Sequence, residues 1–170
     1  MNKKSIETVF SKKSDHWQTP ERLYNLFNEY AFYDPCPYMS KKDNLKEKWQ
    51  PYCFINPPYS QIKIWINTII EKLEKNEIEV LYLLIPSRTD TKYFHRLVSL
   101  PYKIDVVFIK GRLKFSNSNS APFPSCLIRI QRDINIIGIV TYYLDLEETL
   151  YFIKLSEKIL CNERKENERK

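Results

Sequence analysis

Glycine is nearly absent from this chain: two occur in 170 residues, Gly111 and Gly138. Neither lies near the start, which excludes a glycine-rich loop cradling a cofactor after the first strand. Histidine is equally scarce, and His16 and His95 are too far apart in sequence to suggest a metal pair. The four cysteines (Cys36, Cys53, Cys126 and Cys161) form no C-x-x-C pair, so no zinc or other metal site is expected. No apolar run is long enough to cross a bilayer. Behind Met1-Asn2-Lys3-Lys4-Ser5 there is no apolar stretch of the secretory kind. These absences describe a cytoplasmic protein with reduced thiols and no membrane partner.

What is present is a core. Hydrophobic residues make up 43% of the chain, which places it with globular proteins rather than disordered ones. Its length suits one domain. Residues 1–14 read as a loose Lys-rich arm, 15–161 as a single domain, and 162–170 as a charged tail. The formal net charge is +6, with a pI near 9.0. That surplus suits a polyanionic partner, because Lys and Arg on phosphates release counterions, but it does not identify one.

Along the chain, Thr19 is placed to cap a helix over about 20–30, with Pro20 at the first helical position and Leu23, Leu26, Phe27 and Tyr30 at helical spacing. Ala31-Phe32-Tyr33 reads as a short strand stopped by Asp34-Pro35-Cys36-Pro37. Residues 38–50 form a loop or frayed helix, and Tyr52-Cys53-Phe54-Ile55 a second strand. Ser60 can cap a helix whose apolar face is Ile62, Trp65, Ile66, Ile69, Ile70 and Leu73. The continuous apolar run 80–85 suits a central strand of a parallel sheet. A helix over 90–100, a buried strand over 104–109, a long Ser/Asn/Pro loop over 111–124 and a strand over 126–130 follow. Residues 134–143 fit strand or helix, and 147–161 a last helix. Strand and helix alternate, so the expected fold is doubly wound α/β: a mostly parallel central sheet flanked by helices.

Ligands of such sheets bind beyond the carboxyl ends of the strands, and Asn56-Pro57-Pro58-Tyr59 follows one of them. The two prolines stiffen the backbone and remove two N–H donors. An Asn side-chain oxygen and a proline carbonyl make two acceptors, matched to the two hydrogens of an exocyclic amine. Holding both hydrogens aims the nitrogen lone pair at an electrophilic methyl group. Tyr59 offers a flat face to a flipped base. The bland alternative is a strand-terminating turn, for which Asn and Pro are common.

Other candidates divide similarly. Arg88, Thr89 and Asp90 follow the run 80–86; Arg88 on a phosphate or base competes with Thr89 or Asp90 as a helix N-cap and a solvated Arg. Lys110, Arg112 and Lys114 are either a DNA-contacting hairpin or a solvated basic face. His16 fits a structural role and Asp43 a surface charge. Cys36 is not expected to act as a nucleophile, since amine methylation needs none.

Six ordered blocks over about 15–131 carry a family resemblance: Asp15-His16-Trp17-Gln18-Thr19-Pro20, Asp34-Pro35-Cys36, Phe54-Ile55-Asn56-Pro57-Pro58-Tyr59, Pro86-Ser87-Arg88-Thr89-Asp90-Thr91, Gly111-Arg112-Leu113-Lys114-Phe115 and Ala121-Pro122-Phe123-Pro124-Ser125. In these the chain resembles the phage-type, Dam-like DNA N6-adenine methyltransferases. The resemblance implies a Rossmann-like methyltransferase fold and S-adenosylmethionine as methyl donor. It implies a cofactor region of Trp17, Gln18, Thr19, Pro20, Asp34, Pro35 and Cys36, and a catalytic turn of Asn56, Pro57, Pro58 and Tyr59. Double-stranded DNA is the implied partner, with Arg88, Arg112 and Lys114 as contacts and a homodimer allowed. The location is then a cytoplasm, that of the host if the source is viral, and the setting phage modification or restriction-modification. N4-cytosine methylation would hold its amine in the same way. A catalytically degenerate DNA-binding relative is the reading in which the glycine-poor turn at Asp34 no longer holds a donor.

Overall fold

The computed structural model describes residues 17–38, 44–115, 120–132 and 137–167, for 163–167 the backbone only. The expected arm at 1–14, Asp15, His16, Asp43 and the last three tail residues lie outside these. The helices are α1 (Glu21–Glu29), α2 (Ile62–Glu74), α3 (Lys92–Val98) and α4 (Leu146–Asn167). The strands are β1 (Tyr52–Ile55), β2 (Val80–Pro86), β3 (Lys103–Ile109), β4 (Ser125–Gln131) and β5 (Gly138–Leu144).

The strands form one five-stranded sheet in the order β1-β2-β4-β3-β5. The layering is α/β/α. On one face α2 and α3 bring Trp65, Ile66, Ile69, Leu73, Phe94 and Leu97 against Cys53, Leu81, Leu83, Ile85, Val106 and Ile128. On the other, α1 and α4 bring Leu23, Phe27, Leu150 and Ile153 against Phe54, Tyr82, Leu84, Val107 and Leu127. Odd and even residues of β2 thus enter opposite cores, and all seven are buried. This is why 80–85 reads as unbroken apolar sequence rather than as alternation.

The sheet is mixed, which corrects the expectation of a mostly parallel one. β1 runs parallel to β2, and β3 to β5, but β4 is antiparallel to both β2 and β3. The cause lies in the connection after β3. Residues 110–124 carry no described helix that could return the chain to the opposite edge. β4 therefore starts at the edge where β3 ends and must run back.

Four local expectations also change. The strand at 31–33 is a single parallel bridge, Tyr33 to Cys53. Pro20 occupies the N-cap of α1, one residue outside the helix, and Thr19 does not cap it. Ser60 lies inside a 3-10 turn, Tyr59–Gln61, that precedes α2, so it is not that helix's N-cap. The undecided segment 134–143 contributes strand β5 from Gly138 on, and α4 runs six residues past the expected end at 161.

One charged cluster crosses the α4 core. Arg129 on β4 reaches Asp105 of β3 at 3.3 Å and donates to the Tyr82 hydroxyl at 3.1 Å. That hydroxyl donates to Glu157 of α4 at 2.7 Å. All four residues are buried.

Candidate active site

β1, β2 and β3 point the same way, so their carboxyl ends share one edge of the sheet. Asn56 follows β1 there, Ser87 and Arg88 follow β2, and Lys110 to Arg112 follow β3. Asp34 leaves the Tyr33 bridge beside the end of β1. β4 begins at this edge, which brings Phe123 and Pro124 to it; the Pro124 carbonyl accepts from Ser87 N–H at 2.9 Å.

The segment before α1 is carried to the same place. Phe27 of α1 stacks on Phe54 of β1 with ring centres 4.1 Å apart and planes 12° from parallel. This contact ties α1 to β1 and so sets residues 17–19 next to Asn56.

Asn56 is half-buried and its amide is fully oriented. Nδ2 donates to the Trp17 carbonyl at 2.7 Å and to Thr19 Oγ1 at 3.1 Å. A carbonyl only accepts, so the nitrogen must face it and Oδ1 must face the other way. Oδ1 accepts from the Tyr59 hydroxyl at 3.0 Å. One lone pair is thereby engaged, and a carbonyl oxygen has two. Pro57 and Pro58 between them supply no N–H, and the Pro58 carbonyl accepts from Gln61 N–H at 3.0 Å, closing the turn that presents Tyr59. Desolvation pushes the Tyr59 phenol far above its ordinary range, so it stays neutral and is no base.

Aromatic rings enclose this turn. Trp17 lies 5.3 Å from Phe115 and 5.5 Å from Phe123, and Phe123 lies 5.4 Å edge-on from Tyr59. Phe115 and Phe123 had no assigned role in the sequence reading. Nothing local marks them; the only signal is their place in the last two family-like blocks.

Asp34 is held by an Asx turn, Oδ1 accepting from Cys36 N–H at 2.7 Å. Burial raises its carboxyl to about 6, the hydrogen bond pulling back against that rise. The Pro35 carbonyl accepts from Asn44 Nδ2 at 2.9 Å, and Trp49 Nε1 donates to the Asn44 carbonyl at 2.8 Å. Side-chain bonds thus shape this turn, which contains no glycine. Burial, and then the Asp34 charge, push the Cys36 thiol up to about 12, so it is no nucleophile at neutral pH.

The basic candidates sit on the rim. Arg88 is exposed; its carbonyl accepts from the Thr91 hydroxyl at 2.7 Å. Thr91, rather than Thr89 or Asp90, is the N-cap residue of α3, without a side-chain capping bond. Arg112 and Lys114 are exposed while Leu113 and Phe115 between and beyond them are buried, an alternation that aims both cations outward. Gly111 at φ +78 makes the left-handed turn that starts this segment. Residues 116–119 of the same loop lie outside the described ones.

So Trp17, Thr19, Asn56 and Tyr59 are joined directly, and Asp34, Pro35 and Cys36 form a separate turn at the same edge. Among the described residues no group of His, Cys, Asp and Glu could hold a metal ion, and no helix is long and apolar enough to cross a membrane. A cavity of about 640 Å³ beneath α4, lined by Tyr30, Phe32, Tyr52 and Tyr151 among others, includes none of these site residues. The family model for DNA N-6-adenine-methyltransferase (Dam) matches residues 7–125, which is 119 of 170 residues. Neither a curated protein nor a solved structure matches the chain. The matched span includes α1, the Asp34 turn, Asn56 to Tyr59, the Arg88 loop and the 111–124 segment, and the chain belongs to the DNA N-6-adenine-methyltransferase (Dam) family.

Proposed function

We propose that this chain transfers a methyl group from S-adenosylmethionine to the N6 amine of adenine in double-stranded DNA, at Asn56-Pro57-Pro58-Tyr59. The observation that carries the reading is the orientation of Asn56. Two acceptors, Trp17 O and Thr19 Oγ1, hold its nitrogen, so its oxygen is the atom offered to a substrate. That oxygen and the Pro57 carbonyl accept the two amine hydrogens and turn the nitrogen lone pair outward. Tyr59 stacks on the extruded base, steadied by its own bond to Asn56. Family membership supports this activity at the level of the family.

The residues present fit the donor. S-adenosylmethionine carries a positive sulfonium and an ammonium, and it would supply the electrophilic methyl group. Asp34 is a carboxyl whose charge is penalised by burial, and a cation beside it removes that penalty. Asp34, Pro35 and Cys36 would hold the cofactor together with Trp17, Gln18, Thr19 and Pro20. The work of the chain is alignment: it fixes one amide, stacks one ring and keeps bulk water from the nitrogen. No residue of high basicity is required, because the amine nitrogen becomes acidic once methylated. Arg88, Arg112 and Lys114 ring the same edge and fit phosphate contacts.

The test is Asn56→Ala in a single-turnover assay with saturating duplex DNA and labelled donor. The expected result is a fall in the methyl-transfer rate of about 100-fold or more, the scale for removing one positioned hydrogen-bonding group, with melting temperature and donor binding retained. A variant as fast as wild type refutes the role of Asn56.

A further inference from the structure

The outer edge of β5 is built unlike an edge meant to stay alone. It runs seven residues, Gly138–Leu144, and among the described residues it is paired on one side only, parallel to β3. Solitary edges are protected by short length, by Lys or Pro, or by a bulge. β5 has no charged residue and no proline, and the register to β3 is unbroken from Lys103–Gly138 to Ile109–Leu144. Its apolar side chains stand in solvent: Ile139 is 50%, Val140 49% and Tyr143 65% exposed.

Gly138 N–H donates to Tyr102 O at 3.2 Å and Leu144 O accepts from Lys110 N–H at 2.8 Å, so even-numbered residues face β3. The N–H and C=O groups of Ile139, Thr141 and Tyr143 therefore face outward. This set is symmetric about Thr141. A second β5 laid antiparallel over it pairs Thr141 with Thr141, Ile139 with Tyr143 and Tyr143 with Ile139. Each of the three pairs exchanges two backbone bonds. On one face the cross-strand contacts are Ile–Tyr, Thr–Thr and Tyr–Ile; on the other, Val140 meets Tyr142. All are β-branched or aromatic combinations, favoured across strands, and no like charges meet.

We infer that two copies of this chain pair through β5 about a two-fold axis at Thr141, joining two five-stranded sheets into one. Such an interface is isologous and closed, so it ends at a dimer. It also sets the relation of the two sites. Paired antiparallel, the copies direct the carboxyl ends of β1, β2 and β3 to opposite edges of the joint sheet, so each copy keeps a complete site of its own.

The test uses the full chain with Cys161→Ser, to remove the exposed thiol. Light scattering is expected to give about 41 kDa, twice the 20.5 kDa chain, and 20.5 kDa for Thr141→Lys, which sets two cations face to face on the axis. Thr141 is exposed, so the lysine does not touch the core. Thr141→Cys is expected to cross-link with itself under mild oxidation, because facing Cα atoms of such a pair lie about 5.5 Å apart, within disulfide range. Ile139→Cys alone is not, since its partner is Tyr143. DNA methylation per chain is expected to be the same for Thr141→Lys and wild type, so a failed dimer and a failed active site read out separately. A wild-type chain of 20.5 kDa at about 100 µM overturns the inference, whether or not it captures a peptide strand. So does a dimer that survives Thr141→Lys, or one that cross-links through Ile139→Cys but not Thr141→Cys.

Discussion

Thr19 shows how one hydroxyl changes meaning between sequence and structure. As Thr-Pro before an apolar helical pattern it reads as a cap, yet its Oγ1 accepts from the Asn56 amide, 37 residues away. Asn56 needs that acceptor: with Trp17 O alone its nitrogen is held at one point, and the amide is free to tilt. Thr19→Val keeps the shape and deletes the acceptor. The expected outcome is a slower methyl transfer, by about fivefold at the ~1 kcal/mol of a typical hydrogen bond, with little change in DNA binding. Asp34 carries the pH dependence. Its carboxyl is raised to about 6 in the fold from an ordinary 3.8, so the folded state prefers it protonated. Its contribution to stability is complete below about 3.8 and is lost as pH rises through 6. Asp34→Asn is therefore expected to melt higher than wild type at pH 7.5, by on the order of 2 kcal/mol, and equally near pH 4. Donor binding should move oppositely: in wild type it strengthens as pH rises through 6, and in Asp34→Asn it is weak and flat, as titration calorimetry across that range would record.

At the level of elements, legibility follows burial. β2 and α2 stand out in sequence because all of β2 and one face of α2 are inside, and the six apolar positions expected on α2 are all buried, with Lys72 buried beside them. β5 was undecided between strand and helix because most of it is exposed, which leaves no alternation to read. The direction of β4 was not legible at all: strand polarity is set by the path of residues 110–124, not by the composition of the strand. Nor does a local pattern foretell Arg129, a charge inside an apolar strand, because its partners come from β2, β3 and α4. That cluster makes an element-scale prediction. Arg129→Met leaves two buried carboxyls, Asp105 and Glu157, without their cation. Removing one partner of a buried ion pair costs about 3–5 kcal/mol, so denaturant unfolding should show a loss of that size. A loss under ~1 kcal/mol would show that Asp105 and Glu157 do not depend on Arg129.

For the whole molecule, the tetrapeptide and the order of the blocks were sufficient to point to a family, while the side-chain bonds that join Trp17, Thr19, Asn56 and Tyr59 were visible only in the fold. Three exposed cations, Arg88, Arg112 and Lys114, share the edge that carries Asn56. Binding to duplex DNA should weaken linearly in log–log plots against salt, and Arg112→Ala and Lys114→Ala should each lower the slope by about one if each neutralises a phosphate. An unchanged slope would assign these residues to a solvated face. What the molecule does to DNA is tested most directly by nucleoside analysis. Purified chain is incubated with methyl-labelled S-adenosylmethionine and duplex DNA, and the DNA is digested and separated. The expected result is label in N6-methyladenine. Label in N4-methylcytosine, or none from a folded protein that binds the donor, would contradict it.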